Sequence, residues 1–354
     1  MVTRAHKGRG AVSRRDGRFA GQAVVATAEE ALRAADAVPE TVLTAMRTGR
    51  IISHNSSPDV PFDRSINPYQ GCEHGCIYCY ARPSHSYLDL SPGLDFETRI
   101  FYKPDAATRL LEEWEKPGYR CEPITIGANT DPYQPAEKSR RITRELLERF
   151  LEQRHPVSLI TKGKLVLRDL DILAELAARR LCSVAISLPT LDDGLKRIME
   201  PRAASPAARL EVIRALADRG VPTSVLLAPV IPAINDGEIE SVLDAAAAAG
   251  AGQASYILLR LPHEVKDLFA EWLHCHFPQR AARVMNLLRQ AGGGRLYDPR
   301  FGRRQRGSGA YADMLAARFR SAAKRTGLAG GKGRMALDCN QFERPGKRQL
   351  GLDF

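Results

Sequence analysis

Residues 51–85 read IISHNSSPDVPFDRSINPYQGCEHGCIYCYARPSH. The stretch is crowded with turn formers and aromatics and shows no sustained apolar period, so it reads as one long loop. A loop of that length beside a packed core is ordinarily functional. It carries Cys72, Cys76 and Cys79, and thiols four and three positions apart on a loop can converge on one metal centre. Two centres suit them. A structural zinc wants four protein ligands, the fourth coming from His74 or His85. A four-iron cubane held by three thiolates leaves one iron open to a small molecule. Spacing alone leaves both open.

Beyond the loop, strand-like and helix-like segments alternate. Strand candidates fall at 98–102, 124–128, 157–161, 183–188, 223–228 and 254–259, with amphipathic helices at 106–115, 143–153, 167–179, 206–219 and 238–248. Five or six such repeats argue for a parallel sheet with crossover helices, either open or closed into a barrel. The apolar strands suit burial on both faces. Further helices are expected at 265–273 and 311–324. Residues 1–50, with a short helical signal at 26–37, read as a mobile basic arm. The organisation expected is that arm, a core over 51–290, a basic extension over 291–334, and a linker with a terminal peptide over 335–354.

The cysteine loop, with an aromatic residue (Tyr78) just before its third cysteine and βα repeats behind it, resembles the C-x3-C-x-aromatic-C signature of radical S-adenosylmethionine (SAM) enzymes. The resemblance spans roughly 51–290. The segments GANTDPYQP (127–135), TKGKLVLRDLDIL (161–173), MEPRAASPAARLEVIRAL (199–216) and PVIPAIND (229–236) are similar to a branch grouped with spore photoproduct lyase and "DNA repair photolyase-like" proteins. It implies a partial (β/α)6 TIM-type barrel, a [4Fe-4S] cluster on Cys72, Cys76 and Cys79, and SAM on the fourth iron. A reduced cluster would cleave SAM to a 5′-deoxyadenosyl radical that takes hydrogen from a substrate, with flavodoxin or ferredoxin as the usual reductant.

Barrel chemistry sits at the C-terminal ends of the strands. Reading those ends gives Asn129, Thr130 and Asp131, then Thr161 and Lys162, then Ser187, with Glu200 and Arg202 on the next loop and Arg260 after the last strand. With Tyr78, these are the expected cofactor contacts. The resemblance places the methionyl end near the second or third strand and the ribose near Ser187 or Glu200. The Gly-Gly-Glu motif common in the family is absent, and Asn129-Thr130-Asp131 stands in its place. Plainer readings are a turn opened by Asp131-Pro132, a surface pair of Glu200 with Arg202, and a strand end at Ser187. His74 reads as a loop residue, and His263, His274 and His276 as structural or surface. Cys121 and Cys182 read as small apolar residues. Spore photoproduct lyase uses a hydrogen-donating cysteine outside the cluster. Cys275 and Cys339 are the remaining cysteines, and neither lies in a similar stretch. Nothing selects Tyr256 or Tyr297 as a radical relay.

The 354 residues are 44% hydrophobic and 26% charged, which excludes fibrous and wholly disordered classes. No apolar run of about 18 residues is present to span a bilayer, and seven unevenly spaced cysteines suit a reducing cytoplasm better than a disulfide framework. The net charge of +11 is concentrated. Residues 1–18 carry six basic side chains against one acidic, and residues 295–334 carry eleven against two. Such clusters attract phosphate backbones. The chain ends Gln349-Leu350-Gly351-Leu352-Asp353-Phe354, which resembles the Q-L-x-L-x-F peptide of proteins that dock on the bacterial sliding clamp. There Leu350, Leu352 and Phe354 would fill apolar pockets and Gln349 would hydrogen-bond at the edge. Together these features direct the expected radical chemistry at DNA, for repair or modification. The alternatives are a radical enzyme acting on a protein, peptide or metabolite, and a non-enzymatic iron–sulfur or zinc module.

Overall fold

The computed structural model describes residues 6–20, 40–329 and 336–346. Its strands are β1 (Val42–Ala45), β2 (Ile52–His54), β3 (Arg64–Ile66), β4 (Tyr69–Gln70), β5 (Arg99–Tyr102), β6 (Ile124–Ile126), β7 (Val157–Thr161), β8 (Cys182–Ser187), β9 (Thr223–Val230) and β10 (Gln253–Leu258). The helices are α1 (Leu94–Thr98), α2 (Ala106–Glu115), α3 (Glu137–Arg140), α4 (Ile142–Glu152), α5 (Leu170–Ala178), α6 (Asp193–Met199), α7 (Pro206–Asp218), α8 (Ile239–Ala248), α9 (Val265–His276), α10 (Ala281–Ala291) and α11 (Ala310–Arg325).

One seven-stranded sheet in the order β10-β9-β8-β7-β6-β3-β2 forms the body. From β3 to β10 every neighbouring pair is parallel; β2 alone runs antiparallel, against β3. Six parallel strands joined by helical crossovers are a partial (β/α)6 barrel. The alternating inner and outer side chains of β7, β8 and β9 are mostly buried, as expected for a sheet covered by helices. The main core runs from Ile66, Ile124 and Leu159 through Val184, Val225 and Leu258 to the inward faces of α4, α5, α7 and α8.

Three expectations change. The first parallel strand is β3, inside the stretch read as loop, and the strand expected at 98–102 pairs instead with β1 and β4 in a separate three-stranded sheet. A three-residue strand is too short for any periodicity to declare it. Residues 6–20 are not a mobile arm. Arg9, Ala11 and Val12 are buried, and the segment lies across the cysteine loop. Nor is the basic stretch after residue 290 an appendage. Leu315, Phe319 and Ala322 of α11 join the main core, Phe319 packs 4.7 Å from Tyr256, and the carbonyls of Gln305 and Leu328 accept from Leu258 and Ala254. The sheet edge at β10 is thereby covered, which removes an exposed template for pairing.

Residues 336–346, expected as linker, also pack. Phe342 sits 5.0 Å from His155, 5.6 Å from Tyr119 and 5.8 Å from Trp114. The helix expected at 26–37 and the terminal residues Gln349, Leu350, Leu352 and Phe354 lie outside the described residues. Among the described residues no helix is long and apolar enough to cross a membrane.

Candidate active site at the strand C-termini

The cysteine loop leaves β3 and is fixed from several sides. The Cys72 amide donates to the Phe96 carbonyl (2.9 Å), and the Ile77 amide to that of Met199 (3.1 Å). Gly75, with φ of +67°, turns the chain between the first two cysteines. Arg82, wholly buried, donates from Nε to the Cys76 carbonyl (2.9 Å) and from Nη1 to the carbonyls of Pro92 (3.2 Å) and Gly93 (2.9 Å), while Nη2 pairs with Glu97. The same Glu97 carboxylate accepts the amides of Gly10 (2.9 Å) and Ala11 (2.8 Å). A strap of residues 6–20 is thus tied through one buried carboxylate to the loop that holds the cysteines.

The three thiols come together. Cys72, Cys76 and Cys79 each lie close enough for their charges to affect one another, and Cys72 packs with Phe96, Ala81 and Cys79. Burial, with the neighbouring acids, pushes the Cys76 thiol up to about 12 and Cys72 higher than its ordinary value. Among the described residues no group of three His, Cys, Asp or Glu side chains is drawn tightly enough to hold a lone ion. The two histidines read as a fourth zinc ligand are engaged elsewhere through one ring nitrogen each: His74 Nδ1 faces Asp131, and His85 Nε2 lies 2.9 Å from the Arg99 carbonyl. Three soft donors on one buried loop fit a group larger than an ion, and a cubane cluster is such a group.

The expected strand-end residues gather beside them. Asp131 accepts from Thr161 Oγ1 (2.6 Å), the Lys162 amide (2.8 Å) and the Tyr133 amide (2.9 Å), so it opens a turn, as the plainer reading had it, and also ties that turn to the end of β7. His74 Nδ1 lies 3.3 Å from Asp131 Oδ2 without the alignment of a hydrogen bond, an electrostatic contact. Burial alone would raise Asp131, but His74, Lys162 and the Thr161 hydroxyl outweigh it and hold the carboxyl below the usual range. Asn67, at the end of β3, accepts the amides of Asn129 (2.8 Å) and Thr130 (3.4 Å), and the Thr130 hydroxyl donates to the Tyr69 carbonyl (2.8 Å). The Asn129 side chain stays exposed.

Glu200 is wholly buried rather than half of a surface pair. One of its oxygens takes Arg209 Nη2; the other takes the Tyr78 hydroxyl and stands 3.8 Å from Lys162 Nζ and 3.9 Å from Cys76 Sγ. Burial opposes its charge, and Arg209 and Lys162 overcome that, lowering its pKa. Burial likewise works against the Lys162 ammonium, yet Cys76, Glu200 and Asp131 keep its pKa raised. Arg209 Nη1 also binds the Ser187 carbonyl (2.8 Å), and Ser187 Oγ donates to that of Ala228 (3.3 Å). Arg202 is exposed and pairs with Glu73 (3.2 Å), while its amide caps the His74 carbonyl. Arg260 stands apart from this centre, beside Tyr80.

The sequence profile of the radical SAM superfamily matches residues 66–246, half of the chain. The chain belongs to the radical SAM superfamily. Radical SAM proteins are enzymes that carry a [4Fe-4S] cluster and bind SAM, and these are the cofactors of this one. An uncharacterised Mycobacterium tuberculosis protein is 38% identical over 233 residues, covering 65% of this chain and 68% of its own. One from Methanocaldococcus jannaschii is 28% identical over 173 residues, 49% and 62% respectively. Among solved structures, spore photoproduct lyase with bound AdoMet and dinucleoside spore photoproduct shares the fold at a TM-score of 0.58 and 15% identity, over 80% of this chain and 79% of that one.

Side chains that sequence reasoning missed form much of this candidate site: Asn67, Gln134, Arg82 with Glu97, and Arg209. Gln134 accepts the Glu73 amide (2.9 Å) and donates to the Gly71 carbonyl (3.2 Å), bracing the loop. Arg209, a charge on the core-facing side of α7, was the one signal available: buried arginine asks for a buried partner.

Proposed function

We propose that this radical SAM enzyme acts on nucleic acid, in repair or modification of DNA, with Cys72, Cys76 and Cys79 as the cluster ligands. The observation that carries the reading is the gathering of three thiols on the loop after β3, immediately beside the Lys162–Glu200–Tyr78 centre. When bound, the cluster and SAM supply a primary carbon radical. The chain's own residues do the rest. Lys162 brings positive charge to the thiols, while Glu200 and Arg209 lock Tyr78 against them. The exposed Asn129 amide and the Ser187 hydroxyl offer hydrogen bonds to SAM; Thr130, Asp131 and Thr161, with their bonds taken internally, shape the loops that present them. Glu200 has both oxygens engaged, so it acts by positioning, and Arg202 acts through Glu73.

The nucleic-acid half is supported by the fold shared with spore photoproduct lyase, which has been solved with a dinucleoside photoproduct, and by Arg295, Arg303, Arg306 and Arg320, which stand outside ion pairs among the described residues, whereas Arg300, Arg304, Arg318 and Arg325 are paired with Asp298, Asp59, Glu240 and Asp244. Half of the N-terminal basic residues are offset locally: Arg14 pairs with Asp95, Arg15 with Asp267 and Glu271, and Arg18 with Glu264. A flavodoxin or ferredoxin is the proposed reductant, and the residues 349–354 the proposed clamp-docking peptide. The test is anaerobic reconstitution, reduction, addition of SAM and assay of 5′-deoxyadenosine. Its formation, abolished by Cys76→Ala, supports the assignment. Bound zinc, or a cluster that leaves SAM intact, overturns it.

A further inference from the structure

A second group of side chains at the strand C-termini is not used by the Lys162–Glu200 centre. Arg260 follows β10. Its guanidinium lies 5.1 Å from the Tyr80 ring and 5.9 Å from the Tyr297 ring, and Nη2 reaches the Tyr297 hydroxyl only at 3.4 Å. Among the described residues no carboxylate is ion-paired with it, although Asp59, which holds Arg304, lies near enough to feel its charge, and its Nε is buried without a hydrogen-bond partner. Neighbouring arginines differ: Arg304 is held by Asp59 (2.5 Å) and Ser57, and Arg300 by Asp298 (2.7 Å). An unsatisfied guanidinium is costly unless a ligand completes it.

Tyr80 directly follows Cys79, and its hydroxyl donates to the Ala128 carbonyl just past β6, so the ring is fixed at the mouth. It remains 43% exposed, and Phe301, with Arg304 4.7 Å over its ring, is 57% exposed. Both are unusual for large aromatics beside a core.

We propose that Arg260, walled by Tyr80 and Tyr297, is the substrate-docking subsite. Its guanidinium receives a phosphodiester and the open face of Tyr80 an unstacked base of single-stranded nucleic acid. The inference rests on the nucleic-acid reading above. A planar guanidinium fork matches phosphate oxygens bidentately. Fixed aromatic rings interleaved with arginine are the recurrent platform for unpaired bases. A base must leave its stack to reach chemistry at a barrel mouth, so the occupant is a single strand or an extruded nucleotide rather than an intact duplex.

The experiment measures anisotropy of a fluorescein-labelled eight-nucleotide dT strand with the full chain in about 50 mM salt, for wild type, Arg260→Gln, Arg260→Lys and Tyr80→Leu. Arg214→Gln, an exposed basic residue on α7 outside both basic stretches, serves as the control. We expect Arg260→Gln and Tyr80→Leu to weaken binding roughly 10-fold, on the scale of one stacked base or one bidentate contact. Arg260→Lys should fall between, because a point charge lacks the fork. The log–log salt slope should drop by about 0.7 in Arg260→Gln, and Arg214→Gln should bind as wild type. Wild-type binding with Arg260→Gln equally tight overturns the subsite and leaves the substrate reading standing. No wild-type binding overturns both. Competition by polyglutamate as strong as by the oligonucleotide overturns the nucleic-acid identity of the ligand.

Discussion

Glu97→Gln isolates what holds the cysteine loop. Glu97 and Arg82 are both wholly buried. One carboxylate oxygen accepts the Ala11 amide and Arg82; the other accepts the Gly10 amide. Glutamine fills the same space but carries no charge, so Arg82 is left as an uncompensated buried cation, a loss of about 3–5 kcal/mol. Whichever way the new amide turns, its NH2 faces at least one donor, either the Gly10 amide or Ala11 with Arg82. That conflict adds about 1–3 kcal/mol where the group stays buried. Against a total stability of about 5–15 kcal/mol, the effect is large. Urea unfolding of the cluster-free protein, followed by Trp114 and Trp272 fluorescence, should show the loss. Trypsin should cleave the released strap at Arg14, Arg15 and Arg18. Arg82→Met combined with Glu97→Gln should recover part of the loss, since the stranded charge is gone. A Glu97→Gln protein within about 1 kcal/mol of wild type, its strap uncleaved, would refute the reasoning.

Glu200→Gln should likewise strand Arg209, costing about 3–5 kcal/mol in urea unfolding and at least a tenfold loss of 5′-deoxyadenosine formation. Tyr78→Phe, which removes one hydrogen bond, should cost only about 1 kcal/mol. In Gly10→Ala the added carbon would stand 1.8 Å from the Gly75 carbonyl oxygen, so the strap must lift: trypsin cleavage at Arg14 and Arg15 should quicken while the urea midpoint of the core holds. Burial holds His155 at about 3, against 6.5 in the open chain. The unfolded chain therefore takes up a proton first as pH falls below 6.5, and stability should drop by up to about 1.4 kcal/mol per pH unit down to about 3. His155→Phe, which keeps a ring against Trp114, should flatten that slope in urea midpoints taken from pH 7 to 4; an unchanged slope removes His155 as its source.

The repeating part of the fold was legible because its signals are long. The helix expected at 106–115 is α2 to the residue, and those at 206–219 and 238–248 are off by one position at an end. Burial on both faces made the strands from β7 to β10 apolar enough to stand out. What escaped was short or non-local. β3 has three residues and its identity comes from pairing with β6. The strand at β5 was seen, but the sheet it joins depends on partners at Val42–Ala45 and Tyr69–Gln70. The strap escaped because polar Gly- and Arg-rich sequence looks mobile until its partners are known, and Glu97 lies 87 residues from Gly10. At the site, cysteine spacing and strand ends pointed to residues most of which the fold gathers beside the three thiols, with Arg260 standing apart. Which of them are free was a matter of packing: Asp131 and Glu200 are spent on Lys162, Thr161, Arg209 and Tyr78.

The two ends of the barrel strands divide the labour, and this yields a last prediction. Cys79, Lys162 and Arg260 lie at the C-terminal ends. Phe342 lies at the other: its neighbours Tyr119 and His155 precede β6 and β7, and Trp114 ends α2. Arg344 Nη2 donates to the carbonyls of Pro117 (3.3 Å) and Tyr119 (3.2 Å), and the Glu343 amide to that of Gln153 (2.9 Å), so the chain is held there nearly to Gly346. A five-residue strand such as β7 separates these ends by about 17 Å. The last described residues are therefore anchored at the face opposite the cysteine loop, and under the proposed clamp docking the expectation is that a partner leaves the mouth open to a substrate. A chain ended after residue 346 should keep the urea midpoint and the rate of 5′-deoxyadenosine formation of the full protein, and lose capture by immobilised sliding clamp. Phe342→Ala, by emptying a half-buried aromatic nest, should cost about 2 kcal/mol of stability without changing that capture. Retained capture by the shortened chain would separate the terminal peptide from clamp docking, and a fall in its turnover would show that the two faces are coupled after all.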